Sequence, residues 1–205
     1  YVTSTLVIVE LLIPFFLAFE GRRPQARELV VLAVMCALAV AGRVAIPIPS
    51  FKAIFGIIMI AGIAFGPESG FLVGAISALA SNFFYSQGPY TPWQMMAYGA
   101  GGMLAGFVFA KGRLPRKPVI MGIFGFLAVT LFVGPLLDTC SVFLVMSRIS
   151  LKGAMAFYIS GFPVNLRQAV ATAIVLLVLG KPLLEKLDRI KTKYGILDDE
   201  GRKEA

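Results

Sequence analysis

Histidine is missing altogether from this 205-residue chain. Its absence removes both the commonest general base and the commonest metal ligand. Cysteine is nearly missing too. Cys36 and Cys140 lie far apart within hydrophobic runs, so they read as small packing residues and indicate neither a disulfide framework nor a metal knuckle. Charge is scarce: 15% of residues are Asp, Glu, Lys or Arg, against roughly 25% in an average soluble domain. The chain has no Gly-x-x-x-x-Gly-Lys-Ser/Thr phosphate loop. Paired carboxylates are lacking as well. Glu10 and Asp138 fall on different hydrophobic runs, and nothing places a base beside a nucleophile.

What remains is apolar. Hydrophobic residues make up 58% of the chain, with a mean hydropathy of +0.85, which marks an all-α integral membrane protein of one compact bundle. Thr5 to Phe19 is apolar except for Glu10. It lacks a basic n-region and an obvious small-residue cleavage site, so it is expected to be a retained first span rather than a signal peptide. Six further runs follow, at Leu29 to Ile46, Ala53 to Phe65, Phe71 to Phe84, Met95 to Phe109, from Val119, and Val164 to Gly180. Residues 138–163 carry Asp138, Arg148, Lys152 and Pro163, and read as a helical excursion at one membrane face. Residues from Lys181 to Tyr194 are expected to continue as a helix beyond the membrane, followed by a charged tail at 195–205.

The second run carries Ala33, Ala37, Ala41 and Ala45 four apart, a spacing that stacks them on one helix face. Such a stripe lets another helix approach closely in lipid, either within the bundle or from a separate subunit. Gly70, Gly74 and Ala78 repeat the pattern and lead to Asn82, and Ala97, Gly101 and Ala105 share a face of the next run.

Seven spans alternate sides, so the loops can be sorted. Fourteen Lys and Arg fall on the side of residues 20–28, 111–117 and the C-terminal tail. Lys52, Arg148 and Lys152 are the three on the other. The positive-inside rule makes the first side cytoplasmic, with the N-terminus outside. This asymmetry accounts for most of the net charge of +8 without any nucleic acid. Polar residues within the spans then cluster at their outer ends: Arg43, Asn82, Gln94, Asp138, Asn165, Arg167 and Gln168. Buried Arg and Asp need partners or water, and Asn and Gln line ligand sites well. The pattern predicts a polar cavity open to the outside. Between Asn82 and Gln94 the chain reads Asn-Phe-Phe-Tyr-Ser-Gln-Gly-Pro-Tyr-Thr-Pro-Trp-Gln. This uncharged loop, held in shape by Pro and Gly, is suited either to roofing a large neutral or mixed-polarity ligand or to forming an interfacial aromatic belt.

From Glu28 to Lys191 the chain resembles the substrate-binding S component of an energy-coupling factor (ECF) vitamin transporter. The resemblance rests on the alanine stripe, on Phe65-Gly-Pro-Glu-Ser-Gly-Phe-Leu-Val-Gly, on Ser81-Asn-Phe-Phe with Gln87-Gly-Pro-Tyr-Thr-Pro-Trp-Gln-Met, and on Gly161-Phe-Pro-Val-Asn-Leu. It implies a six-helix substrate-binding domain at 20–194, preceded by one extra N-terminal transmembrane helix at 1–19. It also implies no enzyme activity in this chain, which would bind a vitamin from outside and pair with a transmembrane coupling subunit and two ATP-binding subunits. The Gln87–Gln94 string is most similar to members assigned to cobalamin, so cobalamin or a corrinoid precursor is the expected ligand. A smaller vitamin (pantothenate, thiamine or riboflavin) is the alternative, to be preferred if the pocket is too narrow for a corrin ring. A membrane scaffold or enzyme is the reading from another class. By position, Ala33, Ala37 and Ala41 would meet the coupling subunit, and Asn82, Tyr85, Gln87, Tyr90, Trp93, Gln94 and Asn165 would contact ligand. The cavity pattern adds Arg43, Asp138 and Arg167.

Overall fold

Ile54–Phe65 contains only apolar residues and glycine. A helix that is apolar all round has no face to give to water and must be enclosed by others. In a computed structural model of the protein, which describes residues 2–21, 25–109, 112–146 and 148–195, every residue of this helix is buried. The described helices are α1 (Val2–Gly21), α2 (Ala26–Val44), α3 (Ile54–Phe65), α4 (Pro67–Tyr85), α5 (Thr91–Phe109), α6 (Pro118–Ala128), α7 (Gly134–Val145), α8 (Leu151–Val178) and α9 (Gly180–Tyr194), with a π-helical stretch, Val129–Val133, joining α6 to α7. The helix α3 packs against α2, α4, α5 and α8 and forms the centre of the main apolar core. Residues 22–24 and 110–111 of the two basic loops, and 196–205 of the expected tail, lie outside the described residues.

The 12 residues of α3 rise only about 18 Å, well short of a hydrocarbon core roughly 30 Å thick. The fold fills the remaining depth differently at its two ends. At the N-terminal end of α3 the chain runs through an irregular segment, 45–53, which borders a polar cavity. At the C-terminal end α9 turns back under the bundle and buries Leu184 and Leu187. Its Lys191 Nζ donates to Ala64 O at 2.7 Å, and Arg116 Nη2 donates to Ile63 O at 3.3 Å. The two cations thus satisfy carbonyls in the last turn of α3, where the helix dipole favours positive charge. Arg116 also pairs with Asp188 at 3.2 Å. The tail helix is therefore folded against α3 instead of projecting away from it.

Between α3 and α4 Gly66, at φ +94°, makes the reversal alone, and Pro67 opens α4, where a missing N–H costs nothing. One expectation changes. Residues 138–163 are not an excursion at the membrane face. Asp138 lies inside one continuous helix, Pro118–Val145, and Pro163 lies inside Leu151–Val178; each is 28 residues long and apolar enough to cross a membrane. Asp138 is tolerated because Asn165 Nδ2 donates to its Oδ2 at 2.7 Å, and an internal proline is ordinary in a packed membrane helix. Both helices rise about 42 Å, so their ends stand beyond the hydrocarbon core. At the join Ser150 Oγ caps α8 by accepting from Gly153 N.

Helices α3, α4 and α5 touch backbone to backbone through glycines. A Cβ on Gly74 would meet the carbonyl of Tyr98 and Gly99 Cα, and one on Gly102 would meet Gly70 O. The Gly70–Gly74 row of the sequence is in these contacts, but on α5 they are made by Gly99, Gly102 and Gly106, whereas a Cβ on Gly101 would meet Val133. Because the opposing atoms are backbone, they cannot rotate aside. Gly74→Ala is expected to lower stability by about 1–3 kcal/mol, read as a lower thermal midpoint of the detergent-solubilised protein. An unchanged midpoint would show that α4 and α5 are less closely engaged.

Candidate functional site

Arg43 ends α2 on its inward side, and a guanidinium there needs acceptors. It finds them on α4: Nη1 donates to Ser81 Oγ and, at 2.9 Å, to Asn82 Oδ1. Asn82 is fully buried and passes the link to α5, donating to Gln94 Oε1 at 2.8 Å and Thr91 Oγ1 at 3.1 Å. Tyr85 closes the loop by donating its hydroxyl to Arg43 O at 3.0 Å. The Arg43 guanidinium carbon lies 5.0 Å from the Tyr85 ring centroid and 5.6 Å from that of Tyr98, within cation–π range.

Beside this cluster is a cavity of about 260 Å³, lined by Arg43, Ser50, Lys52, Phe55, Tyr85, Tyr98, Val129, Val133, Gly134, Leu137, Val164, Asn165 and Gln168. One wall is cationic and aromatic. The opposite wall is aliphatic and comes from the π-helical stretch and the start of α7. The cause of that stretch is local: Gly134 N donates to Val129 O, one residue further back than in an α-helix, and Pro135 has no N–H to continue the ladder. The extra residue brings Val133 and Gly134 together onto the cavity wall. On α8, Gln168 Nε2 donates to Lys52 O at 2.6 Å, and Lys52 Nζ donates to Ile46 O. The irregular segment 45–53 is thus fastened to the helix across the cavity.

Of the residues singled out from the sequence, Arg43, Tyr85 and Asn165 line this cavity. Asn82 and Gln94 stand one layer behind and brace Arg43. Gln87 and Tyr90 serve their own turn: Gln87 Nε2 donates to Leu79 O and its Oε1 accepts from Thr91, while the Tyr90 hydroxyl donates to Ser86 O. Trp93 is not on the cavity wall. It is buried with Cys140 against Tyr90, Met96 and Leu144 and stacks on Phe143 at 5.6 Å; its buried indole Nε1 has no acceptor among the described residues. The Asp138 carboxylate packs over Gly161 and is outside the lining, and Arg167 is exposed on α8. No described salt bridge joins Arg43 to Asp138.

Gln168, part of the outer-end polar pattern, lines the cavity as well, and Ser50, Lys52, Phe55 and Tyr98 do so without having been put forward. Helical spacing carried the signal on α8, where Val164, Asn165 and Gln168 fall on one face and Arg167 does not. Elsewhere, on the outward side of α2, the exposed Ala33, Ala37 and Ala41 border a separate apolar groove of about 630 Å³. Val40 and Val44 flank it, with Leu72, Ile76, Ala80 and Phe84 of α4 on its other side.

Trp93→Ala should therefore destabilise the bundle while leaving ligand affinity within a few-fold of the parent. The cost should fall near the low end of the roughly 3–5 kcal/mol typical of such truncations, because the unfolded chain stays in an apolar solvent. Thermal unfolding and a binding titration on the same preparation would check both. A large loss of affinity in a normally stable variant would return Trp93 to the site.

Compared with known protein families, residues 24–185 match the one described as ECF-type riboflavin transporter, S component. Among curated proteins and among solved structures no match was found.

Proposed function

The chain belongs to the family of ECF-type riboflavin transporter S components, and from that premise we propose that it captures a small vitamin in the cavity beside Arg43. As a member it is an integral membrane transport subunit and not an enzyme; the family binds a vitamin and works with an ECF membrane subunit and ATPases. The distribution of Lys and Arg supports an orientation with the Arg43 end outside and α9 on the cytoplasmic side. The exposed Ala33, Ala37 and Ala41 groove, free of charged residues, supports α2 as the face that meets the coupling subunit.

The cavity carries the choice of ligand. Drug-sized ligands occupy clefts of about 300–1,000 Å³, and a volume near 260 Å³ falls just below that range. A corrinoid is several times bulkier. The cobalamin expectation rested on the string from Gln87 to Gln94, and the polar groups of that string bond to their own turn or brace Asn82. Both observations favour the smaller alternatives.

Calorimetric titration of the detergent-purified chain with riboflavin, pantothenate, thiamine and cobalamin tests this. One of the three small vitamins should bind one-to-one with a nanomolar Kd, about −12 kcal/mol, and cobalamin should give no heat. Tight binding of cobalamin alone would refute the small-ligand reading while leaving the family intact.

A further inference from the structure

Among the described residues the two charged side chains that line the cavity, Arg43 and Lys52, are both cations, and no carboxylate lines it. Neither forms a salt bridge among the described residues. Asp138 directly follows the lining residue Leu137, but its carboxylate is held by Asn165 and turned onto Gly161. Both hydrogen bonds of the Arg43 guanidinium leave from Nη1, so its Nε–Nη2 edge, the geometry that grips a carboxylate or phosphate with two parallel bonds, has no protein acceptor among the described residues. Lys52 donates to a single carbonyl, Ile46 O, and has three N–H groups in all. The aromatic rings beside them carry only a quadrupole, not a compensating charge. A pocket that places two half-exposed cations on its wall and supplies no anion leaves that part to its occupant.

Building on the small-ligand reading above, we infer that the ligand carries an acid group, a carboxylate or a phosphate ester, seated between Arg43 and Lys52 with its apolar body against Val133 and Leu137. The geometry disfavours a permanent cation such as the thiazolium of thiamine, because like charge would face like charge. A neutral ring vitamin would leave both cations unpaired. The recognised species is a soluble small organic acid.

The test uses the full chain in neutral detergent and matched acid and neutral probes: pantothenate and pantothenol, biotin and biotinamide, riboflavin 5′-phosphate and riboflavin. In at least one pair the acid should bind and its neutral partner should bind at least tenfold more weakly. Which pair responds separates carboxylate from phosphate. Lys52→Gln should weaken the acid at least tenfold and leave the neutral partner unchanged. The Lys52 side chain donates within its own loop, to Ile46 O, and its link to Gln168 is through its backbone carbonyl, which the substitution keeps; this variant therefore carries the result even if Arg43→Gln, which also unbraces Asn82, fails to fold. A neutral probe binding as tightly as its acid, with no effect of Lys52→Gln, would overturn the acid site and leave the small-vitamin reading standing. Binding of thiamine alone would overturn the acid site only; binding of cobalamin alone, or of none of these probes and not of thiamine either, would overturn both. Loss of acid binding in phosphatidylglycerol nanodiscs would give the cationic wall to a lipid headgroup and overturn the inference as well.

Discussion

A guanidinium at the end of a membrane helix must be paired, and the Arg43 end of this bundle is built around that requirement. Arg43 bonds to Ser81 and Asn82, and Asn82 spends both amide hydrogens on Gln94 and Thr91. One charge thereby fixes the ends of α2 and α4 and the first turn of α5 relative to one another. An Asn at the centre is well chosen: its oxygen accepts from the cation while its nitrogen donates in two other directions. A half-satisfied network of this kind would cost more than an apolar contact, which is why its buried members, Ser81, Asn82 and Thr91, are bonded to one another or to Arg43 and Gln94.

The second constraint is length. A central helix of 12 residues cannot fill the depth of a bilayer, and its two ends are completed by different chemistry. Arg116 and Lys191 finish the last turn at one end by taking up carbonyls that α3 leaves open. At the other end the chain leaves helix for the 45–53 segment, and the space it borders becomes the cavity. The π-helical stretch before Gly134 shapes the facing wall. Cavity and fold therefore share a cause: the space beside Arg43 lies where the short core helix ends.

The hydrophobic runs made the membrane class, the helical bundle and the order of helices legible in the sequence, and the rows of glycine and alanine announced where helices touch. Asp138 misled, because its cost in lipid is removed by a partner, Asn165, that lies 27 residues away along the chain and is invisible to local hydropathy, and Pro163 misled because a packed membrane helix tolerates an internal proline. The site was legible as a place more than as a set of residues. Polar groups gathered at one end, but Asn82, Gln87, Gln94 and Trp93 meet other parts of the protein, and sequence alone does not distinguish a group that faces a cavity from one that braces its neighbour. The uncharged aromatic loop owed its composition to its own turn, where Ser86 takes φ +78° and Gln87, Tyr90 and Thr91 bond inward.

The central claim is that the ligand sits beside Arg43, between the cationic wall and the π-helical stretch. The most direct measurement is an experimental structure of the chain bound to the vitamin that titrates most tightly. The account requires ligand density in contact with Arg43, Tyr85 and Asn165, with Trp93 still stacked on Phe143. Density against Gln87 and Trp93, or in the groove beside Ala37, would contradict it.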